Sequence, residues 1–287
     1  MPLGFTYMIL SVLRLVPYRK KVILSNIENS FPNNTSQENK LILKQFYKYF
    51  SRLLAESIYN LNISKRNLSK RMIVKNPEVM DELYSKNKNV ILVSAHYNNW
   101  EFLVTAQNLL FKHQAIGIGM PMTNKFWDKK INSQRERYGM KVVHAKNYKD
   151  KLKEYTDTPT ATLVLGDQNP SKANNSFWTQ FLTQKSAFTF GAEIMANHTD
   201  SAVVYVNIKH VKRGYYELEL DLITETPRKE EYGAITEKYV SILENNILKN
   251  PEFWLWSHKR WKMGTPENLE ELKTEHKQRF IEKFRDH

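Results

Sequence analysis

Asn89-Val90-Ile91-Leu92-Val93-Ser94-Ala95-His96-Tyr97-Asn98-Asn99-Trp100-Glu101 runs from an unbroken apolar stretch into a polar, amide-rich turn and then into a new apolar pattern. Val90 to Val93 show no alternation and three of the four are β-branched, as in a strand covered on both faces. Downstream, the same kind of run recurs over 115–119, 141–144 and 161–165, with helical spacing over 100–111, 124–138 and 148–156 between. Strand alternating with helix predicts an α/β fold with a mostly parallel central sheet flanked by helices. In such folds chemistry gathers where strands end and helices begin, which is where His96 lies.

Upstream, residues 31–36 read as a turn. Residues 36–59 then read as an amphipathic helix, with Leu43, Phe46, Tyr47, Phe50, Leu54 and Ile58 at spacings of three and four. Further on, a helix is expected over 191–197, two strands over 202–209 and 215–222 around a hairpin turn at Arg213-Gly214, and a helix over 230–248. The tail from Pro266 carries Leu269, Leu272, Phe280 and Phe284 on one face, the pattern of a surface helix docked on the body or on a membrane. The expected organisation is an N-terminal membrane-proximal helical region over 1–60, an α/β domain over 61–265 and a C-terminal amphipathic helix over 266–287.

The 287 residues hold 41% hydrophobic side chains, enough for a sizeable core, and their aromatic content rules out wholesale disorder. With no cysteine there is no disulfide, thiolate metal site or cysteine nucleophile. A net charge of +13 favours a polyanionic partner: an anionic membrane surface, an acidic protein or substrate, or nucleic acid. Recognisable nucleic-acid-binding motifs are missing, so no nucleic acid is expected. The apolar stretch over 3–16 is followed by Arg19-Lys20-Lys21, the arrangement of a segment meeting a bilayer with its basic flank in the cytoplasm. It falls short of the about 20 residues needed to span hydrocarbon, and it lacks the flanks of a secretory signal. No phosphate-loop signature or metal-ligand spacing occurs, so no cofactor or metal is expected.

Two readings of the first strand exit are open. His96 can take a proton from a substrate hydroxyl while Glu101, five residues on, holds the imidazole. Alternatively Asn98 is a helix N-cap and Glu101 completes a capping box, with His96 an ordinary loop residue. The second exit, Gly166-Asp167-Gln168-Asn169-Pro170, puts another polar cluster on the same sheet edge and is equally good turn chemistry.

These residues, together with Tyr18-Arg19-Lys20-Lys21, Asn29-Ser30-Phe31-Pro32, Arg135-Glu136-Arg137-Tyr138-Gly139 and the segment Trp256-Ser257-His258-Lys259-Arg260-Trp261-Lys262, resemble the lipid A late (lauroyl/myristoyl) acyltransferases. That branch belongs to the lysophospholipid acyltransferase superfamily, and the likeness runs in order from Tyr18 to Lys262. It implies a glycerolipid-acyltransferase-like fold with N-terminal membrane-proximal helices, on the cytoplasmic face of a bacterial inner membrane. The implied reaction moves a fatty acyl chain from acyl carrier protein or coenzyme A to a hydroxyl of a lipid A precursor. The alternative acceptors are a lysophospholipid, an aminolipid or a pigment.

His96 and Glu101 are then the candidate catalytic dyad, and Asn98, Asn99, Arg135, Arg137, Asp167, Gln168, His258 and Arg260 the candidate substrate-binding residues. Arg135 and Arg137 face phosphates or the oxyanion, or simply favour a helix C-terminus. The tryptophan-rich segment with His258 and Arg260 holds a phosphorylated lipid at the interface, or its tryptophans pack the core.

Overall fold

The computed structural model describes residues 18–119, 123–144, 148–152, 154 and 158–285. The apolar stretch over 3–16 lies outside them. Two N-terminal helices, α1 (Lys20–Ser30) and α2 (Ser36–Asn60), are followed by the short α3 (Lys65–Ser69). Thr35 starts α2 through a capping box: its hydroxyl accepts from the Glu38 N–H while the Glu38 carboxylate accepts from the Thr35 N–H. β1 (Met72–Val74) and α4 (Glu78–Ser85) lead to β2 (Val90–Ser94), all five of whose residues are buried, as the non-alternating run requires.

From there strand and helix alternate: α5 (Trp100–Leu110), β3 (Gln114–Gly119), α6 (Lys125–Glu136), β4 (Lys141–His144), α7 (Tyr148–Leu152) and β5 (Thr160–Leu165). Gly139, at φ 99°, takes the left-handed turn that leads from α6 into β4. A separate two-stranded ribbon, β6 (Ser176–Phe181) with β7 (Gln184–Thr189), precedes α8 (Gly191–Thr199). The hairpin β8 (Ala202–Lys212) and β9 (Tyr215–Thr224) turns at Gly214, whose φ is 74°, and α9 (Ala234–Lys249) and α10 (Leu269–Phe284) complete the chain.

The main sheet has seven strands in the order β1-β9-β8-β2-β5-β3-β4. Only β8 and β9 pair antiparallel; every other neighbouring pair is parallel. β2 lies at the centre between β5 and β8. The expected mostly parallel α/β sheet is therefore present. The ribbon β6–β7, β1 and the helices α1, α3 and α4 add to it.

One apolar core cluster extends from Ile23 and Phe46 through β2 and β8 to Trp256. The C-terminal helix docks on the body: Phe280 packs on Phe190 at 5.7 Å between ring centres and Leu269 joins Trp178. Among the described residues no helix is long and apolar enough to cross a membrane.

Candidate active site

The register of β2 against β5 places Ser94 beside Leu165. Two residues beyond each, His96 and Asp167 leave the sheet together. His96 Nδ1 lies 2.7 Å from Asp167 Oδ1, and the His96 backbone N–H donates to the same oxygen at 3.1 Å. Trp254 Nε1 donates to Asp167 Oδ2 at 2.9 Å. The tryptophan arrives because 253–255 pairs with the turn: Asn98 N–H donates to Phe253 O, Leu255 N–H to His96 O, and Tyr97 bridges Trp254.

Asp167 is only 2% exposed. Burial opposes its charge, but the imidazole of His96 and the three hydrogen bonds outweigh it, and the carboxyl is held below its ordinary range. An ionised carboxylate only accepts, so the proton of neutral His96 sits on Nδ1 and the Nε2 lone pair faces outward. Gln168 Nε2 lies 3.1 Å from that nitrogen.

The expected contact between His96 and Glu101 is absent. Asn99, not Asn98, caps α5 by accepting from the Phe102 N–H at 2.9 Å, so Glu101 is the second helical residue. From there its carboxylate reaches α6 and pairs with Arg135 at 2.9 Å. The imidazole takes its carboxylate from the neighbouring strand instead. Asn98, at φ 53°, makes the turn into the helix and spends its side chain internally, its Nδ2 donating to Ile208 O at 2.7 Å. Asn99 is also buried, its Nδ2 donating to Glu56 Oε2 at 2.6 Å. Neither asparagine is among the residues lining the adjacent apolar cavity.

A cavity of about 600 Å³ opens next to the pair of His96 and Asp167, neither of which is among its lining residues. One wall comes from α2, with Phe50, Leu53, Leu54 and Ile58, and Tyr18 and Ile131 add to its apolar lining. Trp100 lines it too, and its ring stands edge-on to His96 at 5.0 Å. Glu101, Gln134, Arg19, Ser257 and His258 supply polar groups. Arg135 Nε is buried without a hydrogen-bond partner. Arg137 lies exposed beyond the end of α6.

The C-terminal motif divides. His258 lines the cavity, with Nδ1 buried and unpartnered. Burial lowers its pKa first, and the nearby His96, Arg260 and Arg19 add to that effect against Asp167, so it is neutral at pH 7. Arg260 is 2% exposed, with its guanidinium 4.3 Å from the centre of Phe188 and one N–H on Ala187 O at 2.6 Å. Burial lowers its pKa to about 10, which leaves it charged. It supports the site from inside and is closed to a lipid headgroup. Trp254 and Trp256 belong to the core.

Sequence reading passed over Glu56. Its carboxylate accepts from Asn99 and from the Tyr216 hydroxyl, each at 2.6 Å, and Tyr49 binds Asn98 O at 2.5 Å, so α2 grips the turn bearing His96. A signal existed: Phe46, Tyr49, Leu53, Glu56 and Asn60 lie at spacings of three and four, which puts a carboxylate on an inward face. Among the described residues no cluster of three His, Cys, Asp or Glu side chains is placed to hold a metal ion.

A mostly parallel α/β sheet with a histidine–carboxylate pair at its central strand exit and an apolar cavity nearby is the arrangement of an enzyme's active site. The bacterial lipid A biosynthesis acyltransferase family matches residues 9–263, and the chain belongs to that family. It is also similar to a lipid A biosynthesis acyltransferase of Haemophilus influenzae, with 20% identity over 271 residues, covering 94% of this chain and 85% of the relative. It is an acyltransferase of the lipid A biosynthesis type.

Proposed function

We propose that the chain moves a fatty acyl group from an acyl thioester, carried by acyl carrier protein, to a hydroxyl of a lipid A precursor at the cytoplasmic face of a bacterial inner membrane. The observation carrying this reading is the apolar cavity one of whose lining residues, Trp100, packs on the His96 ring. Its volume lies within the range of small-molecule sites, about 300–1,000 Å³. Its largely apolar walls suit a hydrocarbon chain.

In this mechanism His96 Nε2 takes the proton of the acceptor hydroxyl, and the oxygen attacks the thioester carbonyl carbon. Asp167 holds the Nδ1–H tautomer and stabilises the imidazolium, in the way a triad carboxylate does. The C–S bond then breaks, and the imidazolium returns its proton to the departing thiolate, leaving an ester and a free thiol. Arg135, held in place by Glu101, and the N-terminus of α5 are the groups assigned to the developing oxyanion. Catalysis of this kind needs no covalent enzyme intermediate.

The test is mass spectrometry of products formed by the purified protein from acyl carrier protein and coenzyme A thioesters. It is repeated with a lipid A precursor, a lysophospholipid and an aminolipid as acceptors. The expected product is the precursor carrying one more ester-linked acyl chain, absent with His96→Ala. Acylation of the lysophospholipid or aminolipid alone overturns the acceptor, and full activity in His96→Ala overturns the base.

A further inference from the structure

The nitrogen that the proposed base must use already has a partner within the chain. With Nδ1 protonated and directed at Asp167, Nε2 offers one lone pair, and Gln168 Nε2 is placed at 3.1 Å to donate into it. A hydroxyl, whether of a lipid or of water, reaches that lone pair only after the amide leaves. Asp167 and Gln168 are consecutive, so one short segment after β5 holds both nitrogens of the ring. We propose that Gln168 masks His96 until the acceptor displaces it, and that the mask suppresses hydrolysis of the acyl thioester by water when no acceptor is bound. The proposal rests on the acyltransferase reading given above.

The physical case is one of competition. His96 is 17% exposed on its side chain, so water has access to the ring and a bare Nε2 would activate it. Such activation would break the thioester C–S bond with water in place of the lipid hydroxyl, yielding a free carboxylic acid and a thiol. A single neutral hydrogen bond is a weak barrier to a well-positioned acceptor and a sufficient one to unpositioned water. Gln168 acts through His96, so its role is one of positioning.

Two measurements separate the mask from the reaction it guards. The first follows thiol release from an acyl-coenzyme A thioester without acceptor, then transfer with a lipid A precursor. Gln168→Ala is expected to raise acceptor-free hydrolysis about two- to tenfold, the factor equivalent to one net hydrogen bond, and to lower the acceptor KM. Gln168→Asn, one methylene too short to reach Nε2, is expected to behave as the alanine variant does. Gln168→Glu offers a carboxylate that stabilises the protonated ring, and it should depress hydrolysis and transfer together.

The second measurement is free of substrate: carbethoxylation of His96 by diethylpyrocarbonate, followed by peptide mass spectrometry. His96 should react faster in Gln168→Ala and Gln168→Asn than in the wild type. Unchanged His96 labelling in both variants overturns the mask, as does unchanged hydrolysis combined with a fall in kcat at constant KM. Accelerated labelling in a protein that releases no thiol from any thioester would uphold the mask and overturn the acyltransferase reading.

Discussion

A carboxylate fixed on Nδ1 leaves His96 one nitrogen for chemistry, and this ranks the substitutions around it. His96→Ala should lose about 10²–10⁴-fold in turnover, measured as ester formed with circular dichroism as the control for folding. Asp167→Asn should be nearly as damaging in kcat, because an amide no longer selects the productive tautomer. Glu101→Gln leaves the pair of His96 and Asp167 untouched but loosens Arg135 at the oxyanion, so kcat should fall, though by less than for His96→Ala. A kcat loss for Glu101→Gln equal to that for His96→Ala would return the orienting role to Glu101. Asp167 also predicts a pH effect. Its folded pKa lies below the ordinary 3.8, so between the two values the unfolded chain holds the extra proton and stability rises with pH. The contribution is complete above about pH 3.8 and is lost as the pH falls through the folded value. Urea midpoints of wild type and Asp167→Asn should therefore converge below that pH, and a constant gap would contradict the assignment.

Elements differ in how much of them periodicity reveals. β2 was legible because an unbroken β-branched run has few other uses, and the hairpin β8–β9 because a glycine sits where φ must be positive. Helix α2 was legible as a helix but not in its rotation. Phe50, Leu54 and Ile58 lie on the apolar face read from the sequence, yet they line the cavity and Ile58 is 44% exposed; Tyr49 and Glu56 face inward, and Leu53 is buried while also lining the cavity. Hydrophobicity alone does not separate a wall around a ligand from a wall against the protein. The partner of His96 was hidden for another reason: pattern predicts strands but not which ones are neighbours, and Asp167 reaches the imidazole only because β5 lies next to β2. For α10, Phe280→Ala should weaken docking on Phe190 by about 3 kcal/mol. Limited proteolysis should then release a fragment beginning near residue 266 while the sheet survives, and an unchanged cleavage pattern would show that the helix is held elsewhere.

Across the whole molecule the positive charge is uneven. Residues 18–71 carry eleven Lys and Arg against three Asp and Glu, a surplus of eight out of the chain's thirteen. The same stretch supplies Tyr18, Phe50 and Ile58 to the cavity, so under the proposed reading this basic part of the protein faces the lipid surface. Removing residues 1–17 should lower vesicle binding while leaving a salt-sensitive remainder, at about 1 kcal/mol per basic residue near an anionic surface. Loss of all binding, or none, in vesicle sedimentation at low and high salt would refute that division. Removal should stop short of Tyr18, whose carbonyl accepts from Tyr47, and of Arg19, which donates to Ser257 O at 3.0 Å. Asn26 likewise donates to Trp256 O and His258 O, both at 2.9 Å. These contacts join residues 230 or more positions apart and bring the first helix against the last loop of the site. Under the proposed reading, the basic stretch over 18–71 leaves the ribosome and can meet the bilayer long before Trp254 exists to hold Asp167, so the site becomes competent only after most of the chain has been made.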